Sequence, residues 1–208
     1  MNLDFSEEQQ VLRDTVRKLC AEYSPVSVVR AMEDDPQGVP DALWKQLAEL
    51  GLLGVLVPEE YGGSAQTLLE AVIVFEELGR TLAPTPAFES AVLSASLLLA
   101  AGSDAQKNEW LPKLVSGEAI LVPAWLEPQS GFGPKGVQLR ATKTETGDGY
   151  LLSGQKRHVA FASAATRLIV LARTSDSAEG ISLFLVDPQA KGVALKQLKS
   201  LASDTQYD

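Results

Sequence analysis

The spacing of apolar residues changes character once, near Gly117, and that change limits what the chain can fold into. Before it, the pattern is helical. Leu12, Val16, Leu19, Cys20 and Tyr23 fall on one stripe of a helix. Ser6 with Gln9 forms a capping box at its start, and Pro25 ends it. Pro40 and Asp41 open a second helix with Leu43, Leu47 and Leu50 on one face, closed by Gly51. The segment GVLVPEEYGGS reads as a crossing loop, with Gly62 and Gly63 permitting positive φ. Thr67 with Glu70 caps a third helix through about Gly79. Its centre, EAVIVFEEL, is apolar almost all round, which predicts a buried central helix. Pro84 and Pro86 impose an extended connector. A small-residue helix follows over Phe88 to Ala100, and Ser103 with Gln106 caps the last, which ends near Gly117.

Beyond Gly117 the period shortens. Val137, Leu139 and Ala141 alternate with Gln138, Arg140 and Thr142. Gly147-Asp148-Gly149 is a hairpin signal, and Leu168 to Ala172 and Ile181 to Val186 are apolar runs of strand length. The fold class expected is α+β. An all-α helical bundle spans 1–118, and an antiparallel β-barrel or sandwich spans 119–208. The last residues, SLASDTQYD, follow a strand-rich region with no closing element, so the barrel reads as truncated, with an exposed edge.

Composition removes several functions. A net charge of −9 argues against nucleic acid, whose affinity comes from phosphate neutralisation by Lys and Arg. The single histidine, His158, and the single cysteine, Cys20, leave no metal-ligand spacing and no internal disulfide. No apolar run has the length of a membrane span, and MNLDFSEEQQ is acidic rather than a signal sequence, so a cytoplasmic protein is expected.

Two blocks carry a resemblance. One is QKNEWLPKLVSGEAILVPAWLEPQSG, Gln106 to Gly131; the other is GYLLSGQKRHVAFASAATRLIVLAR, Gly149 to Arg173. Together they resemble the junction between the helical and middle β-domains of the acyl-CoA dehydrogenases. The resemblance implies FAD and an acyl-CoA thioester, desaturated between its α and β carbons. It also implies an electron-transfer flavoprotein or similar acceptor, and a homo- or hetero-oligomer. The family's catalytic base is a glutamate on a helix of a C-terminal domain, so no catalytic residue is assigned to this chain.

The family's first loop runs Thr-Glu-Pro and then Gly-Ser-Asp. Here Glu127 and Pro128 match, Leu126 stands at the threonine and Phe132, after Gly131, at the serine. The family's second loop runs Gly-x-Lys-x-Trp-Ile-Thr. Here Gly154 and Lys156 match, His158 stands at the tryptophan, Val159 at the isoleucine and Ala160 at the threonine that bonds flavin N5. The implied cofactor-binding residues are Trp125, Leu126, Phe132, His158, Val159 and Ala160; those implied for substrate are Gly131 and Phe132.

Two rival functions stay open. The departures at Leu126, Phe132, His158 and Ala160 suit a non-catalytic partner subunit of a heteromeric acyl-CoA dehydrogenase, and a proton-active His158 suits a superfamily oxidase or monooxygenase. Without the resemblance, the same residues have plainer readings. His158 is a surface polar residue, Phe132 a pocket plug, Trp125 core packing and Cys20 a buried small hydrophobe. Lys156 and Arg157 are solvated strand charges, and Glu76 and Glu77 a solvated or salt-bridged helix face.

Overall fold

Capping and burial set the helices where the sequence places most of them. The structure, a computed structural model, describes residues 4–128, 131, 133–147, 149–199 and 206–207. These divide into two units, Met1–Ile120 and Leu121–Asp208. The first contains α1 (Glu7–Tyr23), α2 (Val26–Glu33), α3 (Asp41–Glu49), α4 (Leu68–Arg80), α5 (Ala95–Ala101) and α6 (Asp104–Val115). The capping boxes of α1, α4 and α6 form as their sequences dictate, each satisfying orphan N–H groups of the first turn. Val16, Leu19 and Cys20 of α1, Leu43 and Leu47 of α3, Ile73 and Val74 of α4, and Leu111 and Leu114 of α6 build the core.

Three details depart from the sequence pattern. Pro25 ends α1 but also starts α2, a helix that buries no residue and so has no apolar stripe to announce it. The segment read as one helix from Phe88 begins as a π-helix, Phe88–Ser94, before continuing as α5. Helix α4 is buried on one face only: Leu68, Leu69 and Val72 are exposed. In the crossing loop, Gly62 has φ +85, whereas Gly63 is needed for space. A Cβ at Gly63 would lie 2.0 Å from the Val57 carbonyl oxygen.

The second unit contains β1 (Leu121–Ala124), β2 (Arg140–Lys143), β3 (Tyr150–Ser153), β4 (Val159–Ala160), β5 (Arg167–Arg173), β6 (Ile181–Val186), β7 (Gln197–Leu198) and β8 (Gln206–Tyr207). Strand β5 is the hub. It pairs antiparallel with β6 from Leu168↔Val186 to Arg173↔Ile181 and parallel with β1 from Leu121↔Arg167 to Ala124↔Val170. It also meets β2 in parallel at Arg140↔Arg173. A strand flanked on both edges sits inside the unit, which explains its unbroken apolar run. Strands β2 and β3 form the expected hairpin, in register Arg140↔Ser153 to Lys143↔Tyr150, with Gly147 at φ +76 in the turn. Strands β4, β8 and β7 form a second, antiparallel sheet. The main sheet is therefore mixed, because the long excursion from β1 to β5 allows a parallel return. Among the described residues, no helix is long and apolar enough to cross a membrane, and no cluster of His, Cys, Asp or Glu could hold a metal ion.

Candidate functional site

Both loops singled out in the sequence lie in the second unit, and a buried ion pair joins them. Strand β1 is wholly buried. Where it ends, Trp125 turns outward and the backbone runs on to Leu126 and Glu127. The Arg157 N–H donates to the Leu126 carbonyl at 2.8 Å, so the segment ahead of β4 lies against the exit of β1. Next to that bond, Lys156 Nζ meets Glu127 Oε1 at 2.7 Å, with both side chains only 7 % exposed. Lys156 also donates to the Trp125 carbonyl at 3.3 Å. The Glu127 carboxylate accepts from the backbone N–H groups of Gln138 and Leu139 at 3.0 to 3.2 Å, just ahead of β2. One carboxylate thus ties three segments of backbone together.

The electrostatics follow from that geometry. Burial opposes ionisation of Glu127, but the Lys156 ammonium and the two N–H donors outweigh it and hold the carboxyl below its usual range. Burial pulls Lys156 below the ordinary lysine value, and Glu127 offsets part of the shift. Lys156 is therefore a buried structural cation and not a solvated strand charge. One hint lay in the resemblance, in which Glu127 and Lys156 both match the pattern, though their pairing did not show.

Backbone conformation sets the direction of the next residues. His158 and Phe161 have φ of +55° and +53°, on either side of the two-residue strand β4. Histidine visits the left-handed region more readily than most residues, whereas a bulky phenylalanine there is strained. Burial of Phe161 and of its neighbours Val159 and Ala162 holds it in place. The same turn leaves His158 exposed. Periodicity carries no sign of this pair of kinks.

The candidate residues distribute over two cavities. Trp125, Leu126 and Gly131 line a cavity of about 440 Å³ together with Gly133, Pro134, Gly136, Val137, Leu171 and Ile181. Val159 lines a different cavity, of about 320 Å³, which Lys156 and Leu139 also line. His158 and Ala160 line neither. Phe132 lies outside the described residues.

The donor set facing the first cavity can be tested against a flavin ring. Apart from the Trp125 indole N–H the lining side chains bring no donor, and Leu126 brings no hydroxyl. Among the described residues, the Leu126 backbone N–H has no protein acceptor. Trp125, 41 % exposed, presents an indole at the rim. Such a surface fits a flat, largely apolar ring system held by stacking and by backbone donors.

In the helical unit, Glu77 of α4 is buried and accepts from Arg17 Nε and Nη2 of α1 at 3.0 and 2.6 Å, with Arg80 at 3.5 Å. The Arg17 hydrogen bond holds its carboxyl below the usual range against the cost of burial. Glu77 is thereby committed to packing α1 on α4.

Comparison with known proteins agrees with the residue pattern. Residues 6–118 match the family model described as acyl-CoA dehydrogenase, N-terminal domain, and residues 124–206 match acyl-CoA dehydrogenase, middle domain. Mitochondrial isovaleryl-CoA dehydrogenase of Pongo abelii is 37% identical over 197 residues, covering 90% of this chain and 45% of its own length. (2S)-methylsuccinyl-CoA dehydrogenase of Cereibacter sphaeroides is 33% identical over 188 residues, covering 88% of this chain and 34% of its own length. The chain thus spans less than half the length of these relatives. Among solved structures, the ChsE4-ChsE5 complex of Mycobacterium tuberculosis superposes with a TM-score of 0.86 at 29% identity, over 100% of this chain and 54% of that one. An acyl-CoA dehydrogenase complexed with FAD from Bacillus anthracis superposes with a TM-score of 0.83 at 26% identity, over 98% of this chain and 36% of that one. This chain belongs to the acyl-CoA dehydrogenase family.

Proposed function

We propose that this chain supplies the wall that faces FAD and thioester in an enzyme desaturating an acyl-CoA between its α and β carbons. The observation that carries the reading is the fastening of the two family loops, with Leu126 bonded to Arg157 and Glu127 paired with Lys156 beside an apolar cavity. Bound FAD would supply the hydride acceptor for such a reaction. Trp125 and Leu126 would form an apolar face, the Leu126 N–H would meet a polar edge, and the His158–Ala160 segment would border the ring. The task of these residues is to orient the ring and thioester and to exclude water. An electron-transfer flavoprotein or similar acceptor and an oligomeric assembly belong to the same proposal. So does the absence of a catalytic base from these 208 residues.

A second reading has its own support. The positions expected to bring hydroxyls to the flavin carry Leu126 and Ala160. The structural neighbours include two-component assemblies, ChsE4-ChsE5 and the Tcur3481-Tcur3483 steroid ACAD. On this reading the chain belongs to a partner subunit that shapes a complex and binds flavin weakly or not at all.

One experiment separates the two. The full protein, purified after incubation with FAD, is expected to be yellow, and its flavin absorbance should bleach when isovaleryl-CoA or butyryl-CoA is added without oxygen. A colourless protein that takes up no FAD refutes the enzymatic reading and favours the partner subunit.

A further inference from the structure

Arg173, the last residue of β5, is buried, and among the described residues its guanidinium meets only carbonyl oxygens. Nε donates to Val137 O at 2.9 Å, Nη2 to Pro134 O at 2.7 Å, and Nη1 to Ser177 O at 2.7 Å and, more weakly, to Ser175 O at 3.5 Å. Its own backbone N–H donates to Leu139 O at 2.7 Å. Pro134 and Val137 are walls of the 440 Å³ cavity, as are Ile181, opposite Arg173 on β6, and Leu171, two residues back on β5. One side chain thus grips the ligand-side loop with one edge and the β5–β6 turn with the other.

A buried cation without a carboxylate is tolerated only while its acceptors stay in place. The dependence is mutual: the carbonyls satisfy the charge, and the charge fixes the carbonyls. Apart from the Trp125 indole the cavity is lined by aliphatic side chains and glycine, so its fit to a ligand depends on where the backbone of Gly133–Val137 lies. Lysine cannot replace this arrangement. An ammonium is a point donor, whereas the planar guanidinium reaches separated acceptors from fixed directions.

We propose that Arg173 is a positioning residue: by gripping the Pro134 and Val137 carbonyls it holds the part of the cavity wall that follows Gly131, the residue assigned to substrate, in the shape that accepts an apolar part of the acyl-CoA, while Trp125 and Leu126 are left to the flavin. The identity of that ligand rests on the proposed function; the gripping of the loop does not. The test uses Arg173→Lys and Arg173→Gln in the full, FAD-loaded protein, with isovaleryl-CoA as probe. KM should rise about ten-fold while kcat stays within about two-fold and FAD content is unchanged, the signature of lost binding rather than lost chemistry. Amide hydrogen exchange should quicken in peptides covering 133–139 and 174–180 and not in the β2–β3 hairpin.

Unchanged exchange in those peptides overturns the inference, as does a loosened loop with unchanged KM. A joint fall of kcat, FAD content and unfolding temperature marks a merely structural role and also overturns it. Gly133→Ala strains the same loop, at φ +86, without touching Arg173. If the arginine variants do not fold, Gly133→Ala must loosen the loop and raise KM; a loosened loop with unchanged KM again refutes the inference. If the wild type neither holds FAD nor turns over the thioester, the proposed function fails. The exchange comparison then decides alone whether Arg173 fixes the loop.

Discussion

Replacing Lys156 by methionine is the sharpest probe of the Glu127 junction. The substitution keeps the length and apolar stem of the side chain and removes its charge. Glu127, whose side chain is 7 % exposed, would lose its partner at 2.7 Å but keep the N–H groups of Gln138 and Leu139. Breaking a buried pair by removing one member costs about 3–5 kcal/mol. The retained donors place Lys156→Met near the lower end, at about 3 kcal/mol. Glu127→Gln should cost a similar amount, because it leaves the buried ammonium with neutral acceptors alone, the amide oxygen and the Trp125 carbonyl. The double variant has no buried charge, so its cost should fall short of the sum of the singles by about 2 kcal/mol.

The measurement is urea unfolding followed by hydrogen exchange in peptides from 121–173, which reports the β unit separately from the helices. A cost below about 1 kcal/mol for Lys156→Met, the level of a solvent-exposed pair, would refute the assignment of a buried bridge. The pH dependence adds a signed check. A carboxyl depressed in the folded state contributes stability that is present above its ordinary value of 4.5 and is lost as pH falls through the folded value. In Lys156→Met the carboxyl loses the ammonium that lowers it and sits higher than in the wild type, so acid costs the variant less than the wild type. The gap between the two should therefore narrow as pH falls into the acid range.

Other outcomes follow from the same structure. Restoring hydroxyls with Leu126→Thr and Ala160→Thr should tighten FAD binding by up to about thirty-fold, two bonds of about 1 kcal/mol each, in an FAD titration of the full protein; no gain means that these positions do not touch the ring. Gly63→Ala should destabilise the helical unit more than Gly62→Ala, because a Cβ at Gly63 meets backbone 2.0 Å away whereas at Gly62 it faces only a left-handed φ, costing about 1–2 kcal/mol; equal thermal shifts would contradict this. Glu70, held by the Thr67 hydroxyl and Gln9 down to about 2, should lend the helical unit stability present above 4.5 and lost between there and about 2, and Glu70→Gln should flatten that part of an acid-unfolding profile. Leu111→Ala, at a site with no exposure, should cost about 2–5 kcal/mol in thermal or urea unfolding.

Much of the fold was legible because local chemistry decides it. The boxes at Ser6, Thr67 and Ser103 fix helix starts from three or four residues of sequence, and the turn at Gly147 fixes the β2–β3 register. What local chemistry does not decide stayed hidden. The parallel pairing of β1 with β5 depends on a long crossover, and α2 buries nothing that would mark it. At the candidate site, the pattern named the loops and their altered residues but took Lys156 for a solvated charge. Its partner is 29 residues away in sequence, and only the fold brings the two together. The left-handed turns at His158 and Phe161 were invisible for a related reason, since neither residue type requires that conformation.

Scaffold and contact are separable in this site, and that bears on how the altered residues should be read. Glu127 and Lys156 fasten the loops through backbone groups, and Arg173 fixes the Gly133–Val137 wall through carbonyls. None of these interactions involves the side chains of Leu126, His158 or Ala160. A change at those three positions therefore alters what a ligand meets without loosening the frame that presents it. Losing either member of the pair alone is costly, so stability by itself holds the pair in place whatever the site binds. The frame therefore stays intact beside the altered contacts, and the surface it presents carries apolar side chains and backbone N–H groups where hydroxyl donors were expected. The enzymatic and partner-subunit readings then differ in what occupies that surface, and an FAD titration distinguishes them more directly than any test of folding.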